Sequence, residues 1–445
     1  MHPLPKPKRV LMTTDNIGGV WTYALELARA FGPREIHIDL AVLGRPLTTE
    51  QYREVAELAN VTVFELPCKL EWMQEPWEDV RASGQALLEL ESRLKPDVIH
   101  LNGYAHGALP WTAPTIVVGH SCVLSWWRAV HGEEAPAQWD AYREAVIAGV
   151  QASNLVIAPS AAMLASLDRY YGPLGASRVI PNGRSHAQLR PRPKQPFILT
   201  AGRLWDQAKN SATLAGLAAK LAWPVYLAGE EETPEARQDH SARRNRRCAG
   251  SSSMRVRALL RVSGWSRCRQ ASGWLQHSNG RRARPTRRFG GALGSQRLAA
   301  PRPRADVSSA ELGAWPDNLR RLGRLSRAAL APWFGRASIY ALPARYEPFG
   351  LSVLEAALSG CALVLGDIES LRENWDEAAV FVPPNDAAAL KATLNELIVK
   401  PSLRAEWGAK ARARAARFTS ECMAEEYLRA YGEVLRDRRL AETTK

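Results

Sequence analysis

The chain alternates short apolar runs with longer amphipathic stretches along most of its length. The apolar runs have the length and composition of buried strands, whereas the stretches between them repeat apolar residues with a helical period. The first such stretch places Val20, Ala24, Leu27, Ala28 and Phe31 on one face of a helix. Because strands and helices alternate, we predict an α/β fold whose parallel sheets are covered by helices on both sides.

Twelve apolar runs are predicted to be strands, and a proline-rich stretch at 188–196 separates them into two groups. The predicted strands are 10–14, 36–43, 61–66, 98–101, 115–118, 155–158, 179–181, 197–201, 225–228, 339–342, 362–365 and 380–383. We therefore predict two Rossmann-like, doubly wound halves at 1–187 and 197–417, joined by a hinge at 188–196. Ligands bind such sheets at the carboxyl ends of their strands, so the site is expected in the cleft between the halves.

Length and composition are those of a multidomain globular protein. The chain has 445 residues, and 46% of them are hydrophobic. No run approaches the roughly 18 apolar residues of a membrane span, and the basic N-terminus has no apolar signal core behind it. Six scattered cysteines without paired short spacing disfavour a disulfide framework or a zinc site. We expect a cytoplasmic protein with reduced thiols.

The net charge of +14 comes from one segment. Between Arg237 and Arg304 there are 18 arginines, no lysine and one acidic residue, a net +17, so the rest of the chain carries −3. The segment at 236–305 lacks apolar periodicity and cannot bury enough apolar surface to offset its chain entropy. Three interpretations stay open: a disordered insert that binds nucleic acid, a solvated insert without a specific partner, and a stretch translated out of frame.

The stretch at 344–357 is the most informative for function. A strand-like run leads into Glu347-Pro348-Phe349-Gly350, and a helix-like run that contains Glu355 leaves it. A helix N-terminus attracts phosphate, whereas carboxylates accept hydrogen bonds from sugar hydroxyls. A nucleotide-sugar needs both kinds of partner. Ser352 and Glu355 also fit a capping box, which is the structural alternative.

Glu347 and Glu355, eight positions apart around Pro-Phe-Gly, resemble the paired-glutamate motif of the retaining glycosyltransferases of family 4. Segments at 13–20, 179–183, 201–210 and 322–326 resemble the same family in the expected order, and the similarity covers about 8–232 and 318–435. The resemblance implies the GT-B fold, in which two Rossmann-like domains face each other across a cleft. It also implies that a C-terminal helix at 418–445 packs back on the N-terminal domain.

The implied activity is retaining, hexosyltransferase-type transfer from a nucleotide-diphosphate sugar to an unidentified acceptor, which is a glycan, a lipid-linked or a small molecule. By resemblance, Arg203 and Lys209 bind the diphosphate, although their spacing of six exceeds the commoner pattern by one residue. Glu347 hydrogen-bonds the donor sugar and steadies positive charge at its anomeric carbon, Glu355 grips the ribose hydroxyls, and His120 lies near the reacting face of the sugar.

Backbone contacts to the donor are expected from two further segments. The family places a loop such as Gly18-Gly19 against the diphosphate and the acceptor, and glycine permits that close approach. The backbone N–H groups of Phe349, Gly350 and Leu351 are candidates for contact with phosphate and sugar.

Other residues have less specific signals. His106 is a second strand-end histidine and an acceptor-side candidate, while Trp111, Trp126 and Trp127 fit either a sugar-stacking role or the core. No nucleophile constellation and no Asp-x-Asp motif at a strand end is found, so we expect front-side attack, with neither metal nor cofactor. The basic stretch at 410–417 is interpreted as a solvated helix face, compatible with weak contact to anionic lipid.

Two alternatives to an active enzyme stay open, and both depend on 236–305. The family usually has a few tens of residues between the Ala-Gly-Glu and Leu-Gly-Arg-Leu elements, whereas 91 residues separate Glu230 from Leu322 here. An out-of-frame stretch would make the chain a degenerate, inactive copy. A genuine arginine-rich insert would instead allow nucleic-acid binding, although no specific nucleic-acid partner is expected.

Overall fold

The computed structural model describes residues 4–187, 189–231 and 317–443. The arginine-rich segment at 236–305, with its three interpretations, therefore lies outside the described residues. Two sheets are formed within the described part of the chain, and every strand pair in them is parallel. None of the described helices is long and apolar enough to cross a membrane.

The first sheet has seven strands in the order β3-β2-β1-β4-β5-β6-β7. These strands are β1 Arg9–Asp15, β2 His37–Gly44, β3 Val61–Pro67, β4 Val98–Leu101, β5 Thr115–Val118, β6 Leu155–Ala158 and β7 Ser177–Val179. The order reverses between β1 and β4, which opens a crevice at their carboxyl ends, the usual place for a ligand in such a sheet.

The second sheet has six described strands in the order β10-β9-β8-β11-β12-β13. They are β8 Gln195–Arg203, β9 Val225–Glu230, β10 Leu319–Gly323, β11 Ala337–Leu342, β12 Ala362–Gly366 and β13 Val380–Val382. The order reverses between β8 and β11, so the second crevice lies after Arg203 and Leu342. Strand β8 leads into the Arg203–Lys209 motif, and β11 leads into the motif with Glu347 and Glu355.

Helices connect the strands and cover both faces of each sheet. In the first half they are α1 Gly19–Phe31, α2 Thr49–Ala56, α3 Trp77–Leu94, α4 Val123–His131, α5 Asp140–Ala152 and α6 Ala161–Tyr171. In the rest of the described chain they are α7 Ser211–Leu217, α8 Arg327–Arg336, α9 Leu351–Leu358, α10 Glu369–Trp375, α11 Ala387–Val399, α12 Pro401–Ala415 and α13 Ser420–Thr443. The prediction of two Rossmann-like, doubly wound halves is confirmed.

The last helix, α13, belongs to the core of the first half. Its side chains Met423, Tyr427 and Tyr431 are buried in the same apolar cluster as α1 and β1. The chain therefore passes between the halves twice, once between β7 and β8 and once between α12 and α13. The two connections are in contact: the backbone N–H of Arg184 donates to Phe418 O (3.0 Å), and Arg184 and Thr419 form an isolated parallel β-bridge.

The observed strands differ from the predicted ones mainly at their ends. Each of the twelve predicted runs overlaps an observed strand, although 179–181 shares only Val179 with β7. Strand β8 begins at Gln195, because its pairing with β11 extends into the stretch predicted as a hinge. Strand β10 was not predicted. It lies at the edge of its sheet and reads Leu-Arg-Arg-Leu-Gly, with both arginines exposed, so it lacks an apolar run.

Candidate functional site

A cavity of about 370 Å³ lies between the carboxyl ends of the two sheets. Loops and helix starts from both halves line it, as expected for two facing doubly wound sheets. All ten residues predicted for catalysis or donor binding are among its lining residues: Gly18, Gly19, His120, Arg203, Lys209, Glu347, Phe349, Gly350, Leu351 and Glu355. The structure thus brings together residues that are more than 300 positions apart in the sequence.

Arg203 is held at the end of β8 by a buried carboxylate. Its Nη2 donates to Asp206 Oδ2 (3.0 Å), and its guanidinium lies over the ring of Trp205. The other oxygen of Asp206 accepts from the backbone N–H of Ala208 (3.0 Å) and from Nε1 of Trp126 (2.9 Å) in the first half. Asp206 therefore orients the predicted diphosphate-binding arginine and also ties it to α4 across the cleft.

Lys209 is placed by a single 3₁₀ turn at Gln207–Lys209. Asn210, which follows it with φ 55°, donates to the carbonyl groups of Pro343 and Pro384, so the turn is anchored next to the glutamate motif. Lys209 Nζ pairs with Glu347 Oε2, and both side chains are largely buried. Lys209 lines the cavity.

The turn after Glu347 positions that carboxylate and starts helix α9. Gly350 has φ +88° and is the N-cap, and its N–H donates to Glu347 Oε1 (3.0 Å). The helix begins at Leu351, so Ser352 lies inside the first turn and accepts a hydrogen bond from Tyr340 Oη (2.8 Å). Ser352 and Glu355 thus do not form a capping box, and the structural alternative for Glu355 is not supported.

Phe349 lines the cavity, and its ring is buried against Phe418. Glu355 lies on the first turns of α9, where its Oε1 pairs with Arg184 Nη2 (2.6 Å). Arg184 was not singled out from the sequence. It lies directly after the Asn182-Gly183 pair at the end of β7, where a buried arginine has no distinctive sequence signal.

His120 is a neutral, partly buried histidine that follows β5. Burial, with the adjacent His100 adding to it, lowers the pKa of His120 to about 3. Its Nε2 lies 2.8 Å from Asn102 Oδ1, and the Asn102 amide is oriented by donation from its Nδ2 to Thr13 O (2.7 Å). Asn102 Oδ1 accepts, so the proton is on Nε2 and Nδ1 of His120 is left as an acceptor.

The Gly18–Gly19 pair lies where the first half meets the second. Gly18 is the N-cap of α1, and a Cβ on it would lie 3.9 Å from the Arg203 side chain. A Cβ on Gly19 would lie 3.4 Å from Leu351 at the start of α9. Residues without side chains at these two positions leave the N-terminal backbone of α1 open towards the cavity.

The remaining sequence candidates separate into two groups. Trp126 lines the cavity, where its Nε1 donates a hydrogen bond to Asp206, the residue that also holds Arg203. His106 lines a second, smaller cavity next to β1 and β4, with Nε2 3.1 Å from Ser83 Oγ, and Trp111 donates to its carbonyl group. Trp127 packs against Trp126 and His131. Within the described residues, no group of three His, Cys, Asp or Glu side chains is arranged to hold a metal.

Two family models match this chain. Residues 17–188 match the model described as Glycosyltransferase Family 4, and residues 308–414 match the model described as Glycosyl transferases group 1, which together span well over half of the chain. The chain belongs to glycosyltransferase family 4. The resemblance based on the paired glutamates and on Arg203 and Lys209 is thus confirmed at the level of the family.

Curated relatives of this family 4 chain are similar over limited stretches. The glycogen synthase of Mycobacterium tuberculosis is 38% identical over 100 residues, 22% of this chain and 23% of that protein. A D-inositol 3-phosphate glycosyltransferase of Kineococcus radiotolerans is 30% identical over 161 residues, 34% of this chain and 36% of that protein. The matches therefore span about a quarter to a third of the relatives' length.

Solved structures match the family 4 chain over nearly its whole length. A sucrose-phosphate synthase from Thermosynechococcus elongatus has a TM-score of 0.68 at 17% identity, covering 97% of this chain and 100% of that one. HepE of Anabaena, in complex with UDP-glucose, has a TM-score of 0.64 at 14% identity, covering 96% and 99%. Together with the two parallel sheets, this likeness confirms the predicted GT-B fold.

Proposed function

We propose that this chain is a retaining glycosyltransferase that moves a hexosyl group from a nucleotide-diphosphate sugar to an acceptor hydroxyl. One observation carries the proposal. Arg203 and Lys209 from one segment of the chain, and Glu347 and Glu355 from another, line a single cavity between the two sheets. The proposed donor is supported by the HepE structures of Anabaena, which are in complex with UDP and with UDP-glucose.

The cations of the cavity fit a diphosphate leaving group. Arg203 ends β8 and Lys209 lies in the turn that follows, and the first turn of α9 lines the same cavity from Leu351 onward. Negative charge grows on the diphosphate as the glycosidic bond breaks, and positioned cations and backbone N–H groups stabilise it most in the transition state. In the structure Lys209 neutralises Glu347. We infer that a bound diphosphate shares this ammonium group.

The carboxylates fit the sugar and the nucleoside. Glu347 is fixed by Lys209 and by the N–H of Gly350, beside the helix start where the phosphates are expected. A carboxylate held there accepts hydrogen bonds from sugar hydroxyls and stabilises positive charge at the anomeric carbon. Glu355 lies further along α9 and is placed for the ribose diol. His120, neutral and with Nδ1 as an acceptor, is proposed to bind a hydroxyl of the donor sugar.

Retention is proposed to occur by front-side attack. The bond between the anomeric carbon and the phosphate oxygen breaks, and the bond to the acceptor oxygen forms on the same face. The acceptor proton passes to an oxygen of the leaving phosphate, so the balance requires no protein nucleophile. The acceptor itself stays open, because the relatives named above act on different acceptors and match only part of this chain.

A donor screen tests the proposal. UDP-, GDP- and ADP-hexoses are titrated calorimetrically into the full-length chain, and hydrolysis or transfer of the bound donor is then followed. Glu347→Ala is expected to abolish turnover, and Lys209→Ala to weaken nucleotide binding about tenfold or more, as for loss of a charged hydrogen bond. Lys220→Ala and Glu396→Ala are matched controls, because both side chains lie on the surface of the same half.

The stereochemistry is tested separately. Proton NMR of the product gives its anomeric configuration, which is expected to match that of the donor. Inversion would refute the retaining mechanism while leaving transferase activity intact. Absence of binding by all three nucleotide classes would refute the donor assignment itself.

A further inference from the structure

A cluster of buried charges lies beside the cavity, at the point where both chain connections pass between the halves. It consists of Glu26 on α1, Arg184 after β7, Arg327 at the start of α8 and Glu355 on α9, and we call it the hinge cluster. Glu26 Oε1 accepts from Arg184 Nη1 (2.7 Å) and Arg327 Nη2 (2.6 Å), and Arg184 Nη2 binds Glu355 Oε1 (2.6 Å). One continuous chain of ion pairs thus joins helix α1 of the first half to Glu355 in the second.

Arg184 is the fixed centre of the hinge cluster. Only 5% of the residue is exposed, and its backbone is held by Phe418 O and by the bridge to Thr419. The chain is tightly packed here, since a Cβ on Gly183 would lie 2.0 Å from Thr419 O. The backbone that carries the side chain is therefore fixed by both connections, and burial together with the ion pairs to Glu26 and Glu355 holds the guanidinium group.

Glu26 keeps Arg184 in place from the other side. Burial raises the pKa of Glu26, but Arg184, Arg327, the N–H of Ser185 and Arg29 outweigh it, and the pKa is lowered overall. Glu26 is thus a permanent counterion at neutral pH. The two terminal nitrogens of the Arg184 guanidinium therefore have different partners: Nη1 binds Glu26, and Nη2 binds Glu355.

Glu355 is held by one oxygen only. Its Oε1 binds Arg184, whereas Oε2 has no hydrogen-bond partner among residues 4–187, 189–231 and 317–443. The residue lines the cavity, and its side chain is 13% exposed. A carboxylate fixed in this way has one anchored oxygen and one oxygen available to a ligand.

We propose that Arg184, held by Glu26, is a positioning residue that aims Glu355 at the ribose diol of the donor. The proposal rests on the proposed function, in which Glu355 binds the ribose. It assigns to Glu26 and Arg184, outside the motifs that indicated the family, a task in nucleoside recognition. Because Arg184 bridges the two chain connections, ribose binding is also coupled to the relative position of α1 and α9.

The test compares UDP with 2′,3′-dideoxy-UDP, with the ADP and GDP pairs run in parallel, by calorimetry on the full-length chain. The wild type is expected to prefer the ribonucleotide about tenfold or more, because a charged group loses its hydroxyl partners in the dideoxy ligand. Arg184→Gln and Glu26→Gln should each reduce this preference to about threefold or less. A general loss of structure would weaken both ligands and leave their ratio unchanged.

The control is Arg178→Gln, which also removes an arginine from an Arg–Glu pair, here with Glu433 on α13, away from the cavity. It should keep the wild-type preference. If Arg184→Gln does not fold, Glu26→Gln decides, since it preserves side-chain volume. A combined Arg184→Gln/Glu355→Gln variant should lose no more preference than Glu355→Gln alone.

The outcomes distinguish failure of the positioning role of Arg184 from failure of the ribose role of Glu355. A wild type that prefers the ribonucleotide while both variants keep that preference overturns the positioning role and spares the proposed function. A wild type that binds both ligands equally refutes the ribose role of Glu355, and the inference falls with it. Additive losses in the combined variant also overturn the inference, because they show that Arg184 acts independently of Glu355.

Discussion

The Lys209–Glu347 ion pair allows stability and catalysis to be separated by mutation. The two side chains are 15% and 12% exposed, and the carboxylate has the N–H of Gly350 as its other partner. Replacing Lys209 by Met keeps the length of the side chain but leaves Glu347 as a largely buried charge without a counterion. Breaking a fully buried pair costs about 3–5 kcal/mol, and the residual exposure here reduces the expected cost to about 2–3 kcal/mol.

Removing both charges should restore most of that loss. Glu347→Gln alone strands the ammonium group and should cost about 1–2 kcal/mol, whereas Lys209→Met/Glu347→Gln leaves no unpaired charge and should lie within about 1 kcal/mol of the wild type. The coupling energy is therefore expected to be about 2 kcal/mol or more. Turnover should be lost in the double variant all the same, because each charge is proposed to act on the donor.

Urea-induced unfolding followed by tryptophan fluorescence measures the stabilities, and donor turnover measures the activity. Lys400→Met/Glu396→Gln is the matched control. Glu396 lies on α11 and Lys400 directly follows that helix, and this exposed ion pair should contribute less than about 0.5 kcal/mol. Additive losses at Lys209 and Glu347 would refute the reasoning from burial. Recovery of turnover in the double variant would refute the proposed roles of both residues.

Three further predictions follow from other contacts. Trp126→Phe removes the donor to Asp206 and should raise the KM for the donor about tenfold, with no such rise in Trp407→Phe, as measured by initial rates. Burial lowers the pKa of His100 to about 3, so between about pH 6.5 and 3 only the unfolded chain binds a proton at this residue. His100 therefore costs no stability above pH 6.5, and below it the free energy of unfolding falls by about 1.4 kcal/mol per pH unit. His100→Gln should remove this part of the acid-induced loss of stability, as measured by urea titrations at several pH values. Gly183→Ala should destabilise by about 1–3 kcal/mol, because its Cβ would lie 2.0 Å from Thr419 O, whereas Gly216→Ala, with no atom within 4 Å, should stabilise helix α7 by about 0.5–1 kcal/mol in thermal melts.

The fold was largely predictable because parallel strands buried on both faces are continuous apolar runs. Strands such as β5 and β6, with all four residues buried, are recognisable from their composition alone. Strand β10 was not, because it is an edge strand whose arginines face solvent, and an edge strand has no need of an apolar face on both sides. The boundaries of β8 depend on pairing with its neighbours, which local composition does not encode.

The site was predictable where its residues form a motif and not where they act through tertiary contacts. Glu347 and Glu355 lie in one local pattern, and Arg203 and Lys209 in another. Glu26 lies on α1, which is buried between the sheet and α13 on nearly all sides. A glutamate in an amphipathic pattern is expected on the solvent face, yet Glu26 is only 1% exposed. Arg184 and Asp206 likewise acquire their roles only when distant segments meet.

The contacts that hold the cleft together are mostly polar, which bears on how the two halves can separate. Tyr346 Oη accepts from Ser125 Oγ (2.9 Å), Ser160 Oγ donates to Pro348 O (2.7 Å), and Glu373 accepts from the first N–H groups of α6, at Ala161 and Ala162. Water can replace each of these partners at small net cost, whereas an apolar interface would resist separation. The apolar clusters of the two halves are largely separate. We therefore expect that a cleft closed by hydrogen bonds and ion pairs can open without unfolding the apolar core of either half.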